Sequence, residues 1–319
     1  MTLVLCEKDV HSLLSMRNTI KVLEQSFTAL ADGRAANNPR SRIITGQGVL
    51  HVLTAAVPGL DVLGLKAYTT FREGVRYVVL LFSAQDGQLL AIIEADWLGS
   101  IRTGGTSALA TKYLARSEAA TVGLIGAGYQ AVTQLMGVCE VRSIHSAYVY
   151  SRKERERELF CAEMKKMLGI GVTPVATPHE AVEAADILIT ATNSSDPVFY
   201  GEWLKPGCHI NAIGSNWDTK RELDFATLKR CDIIVTDSRE QAEMEAGDLL
   251  IPTNQGLFEW DNVYDLAEVV AGSVPGRQSN EDITLYKGLG IGLEDVAVAA
   301  HVYNLAQQQH LGEKLNILS

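Results

Sequence analysis

No apolar run in the chain approaches the roughly 18 residues that a membrane-spanning helix needs. The first residues, MTLVLCEKDV, meet Glu7 and Asp9 before they could build the apolar core of a secretory signal. The expectation is a cytoplasmic protein with no membrane partner. Cysteine is sparse and unpaired. Cys6, Cys139, Cys161, Cys208 and Cys231 form no C-x-x-C pair and have no His at ligand spacing, so they read as reduced and mostly buried thiols. His11, His51, His145, His179, His209, His301 and His310 lie far apart in sequence, and no metal site is expected. Basic charge is also short: 28 Lys and Arg stand against 38 Asp and Glu, a formal net charge of -10. The one dense basic stretch, 152–157, is interleaved with Glu154 and Glu156. Phosphate-backbone binding rests on clustered Lys and Arg, so no nucleic-acid partner is expected.

What is present is the composition of a soluble globular protein, 319 residues with 47% hydrophobic and 21% charged, long enough for two domains. Residues 12–31 carry Leu13, Leu14, Ile20, Leu23, Phe27 and Leu30 at helical spacing, ending at Gly33, which predicts an amphipathic helix. From 40 to 95 the texture changes to short β-rich runs between turn signals such as GQG, FREG and QDGQ, which predicts one largely antiparallel sheet. Residues 106–115, TSALATKYLA, read as a helix that follows Gly104 and Gly105 and leaves Arg102 exposed at its entrance. From Ala119 apolar strands (TVGLIG, AYVYS, VTPVA, DILITAT, HINAIGS, DIIVTD) alternate with helical stretches, the pattern of a parallel sheet covered on both faces. The fold class is α/β, a Rossmann-type doubly wound sheet plus a smaller α+β domain. The closing DITLYKGLGIGLEDVAVAAHVYNLAQQ reads as a Gly-rich loop and a long helix that packs back on the first domain. The acidic stretch 237–250 reads as a solvated loop and helix, and the four Trp residues as packing.

TVGLIGAGYQA sets Gly126 and Gly128 directly after a buried strand, with Ala131 as the third small residue of a G-x-G-x-x-A loop. Gly126 permits the tight turn, Gly128 lets backbone approach a pyrophosphate, and Ala131 allows close helix packing. Tyr129 and Gln130 open the helix whose N-terminal N–H groups face the phosphate. Strand before, helix after and the repeated β/α texture supply the context that a lone motif lacks. NAD-binding folds place Asp or Glu about 20 residues onward to hold the ribose hydroxyls. Here Ser151 and Arg152 stand at that strand end. A missing carboxylate removes repulsion against a 2′-phosphate, and a guanidinium can grip that phosphate, so NADP(H) is the predicted cofactor and NAD(H) the alternative. Thr190, Ala191, Thr192 and Asn193 close the strand DILITAT, where ligands of open α/β sheets gather.

GSIRTGGTSALATKYLA, the Gly126 loop, HINAIGSNWDTKRELD, GLKAY and DITLYKGLGIGLEDVAVA together resemble the ornithine cyclodeaminase and mu-crystallin family over almost the whole chain. The resemblance implies a substrate-binding and dimerisation domain at 1–115, joined by the C-terminal helix at about 292–319, and a Rossmann domain at 116–291. It also implies a homodimer and a small imino or amino acid bound against the nicotinamide. Lys66 and Arg102 match the family's substrate-carboxylate residues; Arg42 matches as well, with Arg40 its near competitor. The nicotinamide side of the cofactor falls to the 190–193 stretch and to Gly214, Ser215 and Asn216. Two positions depart from the family: Gly288 stands where some members carry Ser, and Asn216 where deaminating members carry Asp. An amide cannot accept a proton at neutral pH, which argues against cyclodeamination. Reducing a preformed imine asks only for a clamped carboxylate, a hydride and a proton. The expected activity is therefore NADPH-dependent reduction of a cyclic ketimine such as 1-pyrroline-2-carboxylate or 1-piperideine-2-carboxylate. Lys66, Arg102 and Asn216 are its candidate catalytic residues. The alternatives are deamination of the ornithine cyclodeaminase or alanine dehydrogenase type, and a cofactor-binding protein of low turnover.

Overall fold

The apolar run TLVL forms strand β1 (Thr2–Leu5), and the helical spacing that follows is realised as two helices, α1 (Glu7–Leu13) and α2 (Met16–Ala31). The break falls at Leu14, which takes extended backbone, and at Ser15, whose Oγ accepts from Asn18 N at 3.4 Å as the N-cap of α2. This computed structural model describes residues 1–317. They divide into two compact units, Met1–Gly105 with Gly290 onward, and Thr106–Leu289.

In the first unit β2 (Ala36–Ile44), β3 (Gly48–Val57), β4 (Val62–Phe71), β5 (Gly74–Ser83) and β6 (Leu89–Glu94) form an antiparallel meander. β1 joins parallel to β6, and β15 (Glu313–Leu315) pairs antiparallel with β1. Alternate residues of β3 and β4 are buried, as a sheet with one covered face requires. Helix α11 (Gly292–Gln309) lies on that face with α2, packed against β3 and β4. A Cβ on Gly292 would stand 2.8 Å from the Thr54 carbonyl oxygen, so only glycine lets α11 start so near β3. The final two residues of the expected segment 292–319 lie outside the described residues.

Helix α3 (Asp96–Leu114) corrects the expectation for Arg102. The helix begins ten residues before the predicted 106, and Arg102 is buried inside it. Glu7 caps it from a distance, accepting from Asp96 N at 2.6 Å and Trp97 N at 3.1 Å. Gly104 and Gly105 are not a break. A Cβ on Gly105 would meet Leu23 at 2.9 Å and Thr19 at 3.1 Å, so the glycine serves the approach of α2. The division between units falls within α3, where the sequence expectation put it after Ala115. The later turns of the helix are tied to the second unit, Thr111 Oγ1 accepting from Asn211 Nδ2 at 2.9 Å and Leu114 O from Arg277 Nε at 2.7 Å.

The second unit runs β7 (Thr121–Ile125), α4 (Tyr129–Val141), β8 (Ser146–Tyr150), α5 (Glu154–Leu168), β9 (Gly171–Pro174), α6 (Pro178–Ala184), β10 (Ile187–Thr190) and β11 (His209–Ala212). It continues with α7 (Phe225–Arg230), β12 (Ile233–Thr236), α8 (Arg239–Glu245), α9 (Gly247–Asn254), β13 (Val263–Asp265), α10 (Leu266–Val270) and β14 (Thr284–Lys287). The eight strands are parallel in the order β13-β12-β14-β11-β10-β7-β8-β9, a Rossmann-type doubly wound sheet. Leu188 enters one apolar core and its neighbours Ile187 and Ile189 the other, so both faces are covered. The stretch expected as the start of a Gly-rich loop is the buried strand β14, paired with β11 and β12. No helix among the described residues is long and apolar enough to cross a membrane. Of the five thiols, Cys161 and Cys208 are buried, Cys139 and Cys231 half-buried and Cys6 exposed, so the expected burial holds for fewer than half of them.

Candidate functional site

In the second unit strand order reverses at β7, which has β8 on one side and β10 on the other. Ligands of open α/β sheets bind at such a switch point, beyond the carboxyl ends of the strands. A cavity of about 630 Å³ opens there, walled by the Gly126–Gln130 loop, the β8 end with Ser151 and Arg152, and the 191–194 and 213–214 segments. Gly126 has φ +113°, and a Cβ on it would stand 2.4 Å from the Ala191 carbonyl oxygen. Gly128, the N-cap of α4, has nothing within 4 Å of where a Cβ would be, so the space above it is open to a ligand. The first turn of α4 holds no acidic residue, Tyr129 is exposed, and Ala131 is fully buried against the sheet. Gln130 keeps its Oε1 buried with no hydrogen-bond partner. Open backbone, a helix N-terminus without competing carboxylate and a cavity of this volume fit a dinucleotide's pyrophosphate. Arg152 is exposed on the cavity wall. The Ser151 carbonyl accepts from Arg157 Nη1 at 2.8 Å, and that guanidinium lies over the Tyr150 ring at 5.8 Å.

At the other end of the cavity the strand ends are tied by side chains that the sequence did not assign to the site. Glu222 is fully buried. Its Oε2 accepts from Thr190 Oγ1 and from Gly214 N, both at 2.8 Å, and its Oε1 from Thr192 N at 2.7 Å. Asp248 Oδ1 accepts from Glu222 N at 2.6 Å and Leu223 N at 2.9 Å, while its Oδ2 pairs with Lys287 Nζ at 2.9 Å. Lys287 also donates to the Ser215 carbonyl at 2.7 Å. Burial pushes the Glu222 carboxyl above its ordinary range, and Lys287 pulls it back. The acidic stretch 237–250 is solvated only in part: Glu240 and Glu243 are exposed, whereas Asp237, Glu245 and Asp248 are buried. Asp237 Oδ2 receives Leu289 N at 2.8 Å. The available signal was Lys287 itself, a charge inside the apolar run ITLYKGL. Asn216 is half-buried in the loop after β11, and Asn193 is exposed after β10. At Gly288 a Cβ would press on Tyr286 at 3.0 Å and Ile213 at 3.1 Å.

In the first unit Lys66 and Arg102 come together around α11. Lys66 takes an inward position on β4, with Nζ 3.0 Å from Asp295 Oδ1. Arg102 Nε meets the same oxygen at 3.0 Å, and its Nη1 pairs with Glu294. Asp295 Oδ2 is buried with no hydrogen-bond partner. Neither acid was anticipated, although two adjacent carboxylates at the start of an apolar helix were visible in GLEDVAVAA. Burial lowers the Lys66 ammonium from 10.5 to about 8, Arg102 acting in the same direction and Asp295 against it. Arg40 is buried, donating from Nη1 to Tyr68 Oη at 2.6 Å and from Nη2 to the Gly290 carbonyl at 2.9 Å. Arg42 is half-buried and pairs across the sheet with His51. His51 stacks on Tyr68 at 4.1 Å and is lowered to about 4, by burial first and then by Arg42, Arg40 and Lys66. Both arginines therefore act on one imidazole with Lys66. A bulge between Asn38 and Ser41 shifts the strand's register here, which is why counting along NPRSR could not separate them. Among the described residues no group of three or more His, Cys, Asp or Glu is placed to hold a metal ion.

A parallel sheet with an open glycine cradle at its switch point defines the Rossmann dinucleotide-binding class. The chain belongs to the ornithine cyclodeaminase/mu-crystallin family, whose model matches residues 1–310. It is similar to the Delta(1)-pyrroline-2-carboxylate reductase of Bacillus cereus, 32% identical over 323 residues that cover 98% of this chain and 99% of that one. The solved Delta(1)-pyrroline-2-carboxylate reductase of Thermococcus litoralis, in complex with NADH and L-proline, superposes with a TM-score of 0.95 at 36% identity, covering 98% of this chain and 100% of that one. An archaeal alanine dehydrogenase dimer with bound NAD superposes at 0.94 with 33% identity, covering 99% of each. With this cradle and such relatives over its whole length, the protein is an oxidoreductase.

Proposed function

We propose that the protein reduces a small cyclic ketimine carboxylate, of the 1-pyrroline-2-carboxylate or 1-piperideine-2-carboxylate kind, to the cyclic amino acid, with NADPH preferred over NADH and as a homodimer. The observation that carries this is Lys66: a buried ammonium lowered to about 8, with Arg102 sharing its Asp295 partner. A proton held that loosely is available to an imine nitrogen near neutral pH. Arg102 and Arg42 hold the substrate carboxylate, and Asp295 Oδ2 accepts from the protonated nitrogen. A nicotinamide held in the cavity would supply a hydride for the imine carbon, and with one proton from Lys66 that balances the conversion of C=N to CH–NH. Gly126, Gly128, Tyr129, Gln130 and Ala131 would hold the cofactor, with Thr190, Ala191, Thr192, Asn193, Gly214 and Ser215 on its nicotinamide side. Ser151 and Arg152 receive the ribose end, where a guanidinium without a neighbouring carboxylate favours the 2′-phosphate. Asn216 offers no carboxylate base, which supports reduction over deamination. The reductase of Thermococcus litoralis, with L-proline and NADH bound, supports the substrate class, and the archaeal alanine dehydrogenase dimer supports the homodimer.

The test is an oxidation screen of NADPH and NADH over both ketimines, with Lys66→Ala and Arg102→Ala alongside. We expect NADPH oxidation that both substitutions reduce at least about a hundredfold. Full activity in both variants, or ammonia release from ornithine without NADPH consumption, would overturn the reading.

A further inference from the structure

We propose that Glu222, Asp248 and Lys287 form a buried positioning device that fixes the two strand ends, Thr190–Thr192 and Gly214–Ser215, at the nicotinamide end of the cofactor cavity. This rests on the cofactor reading above. The three residues come from three separate segments, and all are at most 1% exposed. Hydrogen bonds and one ion pair, Lys287 with Asp248, join them in a connected chain. Glu222 joins the end of β10 to the loop after β11 through Thr190 Oγ1, Thr192 N and Gly214 N. Asp248 holds the backbone at 222 and 223, and Lys287 closes the chain between Asp248 and the Ser215 carbonyl.

The backbone around these residues is closely packed at two glycines. A Cβ on Gly214 would meet the Thr192 carbonyl oxygen at 2.1 Å and Glu222 Oε1 at 2.4 Å. A Cβ on Gly247 would meet the Lys220 and Trp217 carbonyls at 2.2 and 2.6 Å, so the start of α9 is seated on the same loop. Thr192 and Gly214 line the cavity itself, whereas the three charged residues stand behind them. A fold needs no buried ion pair for stability, since apolar replacements often serve as well. Here the carboxylate's three acceptor bonds all end on two segments of the cofactor wall, at the end opposite Ser151 and Arg152. The device therefore acts on the nicotinamide half of the ligand and leaves the adenosine half alone.

The test measures binding, so it does not depend on the substrate assigned. NADPH and 2′-phospho-ADP-ribose, the same molecule without its nicotinamide, are titrated against wild type, Glu222→Gln and Thr190→Val. A glutamine amide would turn its NH2 toward at least one of the donors now facing Glu222. We expect about tenfold weaker NADPH binding in Glu222→Gln and a smaller loss in Thr190→Val, with 2′-phospho-ADP-ribose affinity unchanged in both. Equal losses for the two ligands would mean a general structural role and overturn the proposal, as would no loss for either. A wild type that binds neither ligand overturns the cofactor reading, and this inference with it.

Discussion

Lys66 sits where burial and a guanidinium expel its proton while a carboxylate retains it, and the balance falls at about 8 against 10.5 in the unfolded chain. Two consequences differ in sign. As a proton donor Lys66 is competent below about pH 8, so reduction should slow as pH rises through that value. As a contributor to stability its folded-state pKa lies below the unfolded one, so the unfolded chain binds more protons between about pH 8 and 10.5. The cost of burying the ammonium is then complete below pH 8 and is relieved above it. We expect log kcat/KM for NADPH-dependent reduction to bend downward near pH 8. Lys66→Met should lose the bend and about a hundredfold in rate; a bend that survives in Lys66→Met would assign it to another group. A second residue-scale case is Gly126, whose φ of +113° and 2.4 Å approach to Ala191 O leave no room for a methyl group. Gly126→Ala should cost roughly 1–3 kcal/mol, read as a lowered melting temperature, together with loss of dinucleotide binding. An unchanged melting temperature would contradict the strain argument.

Element by element, legibility followed periodicity. The strand–glycine–helix passage from β7 to α4 was plain in TVGLIGAGYQA, because a largely apolar strand and an open glycine turn need no tertiary information. Helix α3 was half hidden, since Gly104 and Gly105 resemble a break until one knows that α2 must pass Gly105 within van der Waals reach. Glu222 and Asp248 were illegible for a related reason: a carboxylate in a polar run is buried only if the fold supplies its donors, and these lie between 8 and 39 residues away. β11 makes the point for histidine. His209 is fully buried, bonded through Nδ1 to Thr284 Oγ1 at 2.9 Å and through Nε2 to Asn211 Oδ1 at 3.2 Å. Burial and then Arg277 lower it from 6.5 to about 3. Between those values the unfolded chain binds the extra proton, so stability must fall as pH drops from about 6.5 toward 3. We expect melting temperature to decline over that range, and to decline less steeply in His209→Gln whatever that variant's absolute stability. Equal slopes would mean that His209 does not carry the acid sensitivity.

At the scale of the whole molecule, sequence composition spoke to the partner and topology to the site. A net charge of -10 repels every anionic ligand, and NADPH more than NADH because of its additional phosphate. Any preference for NADPH must therefore arise locally, against the general field, and Arg152 is the cation on the cavity wall that can supply it. That guanidinium is exposed, so its attraction to a phosphate is screened by salt, with a Debye length of about 8 Å at 0.15 M. NADH, lacking the 2′-phosphate, does not use this contact and should respond less. We expect the ratio of NADPH to NADH affinity to be largest at low ionic strength and to fall severalfold by about 0.5 M salt. In Arg152→Ala the ratio should be near one or below, and nearly independent of salt. A wild-type ratio below one even at low ionic strength would assign the cradle to NAD(H), leaving Arg152 as the solvated first turn before α5.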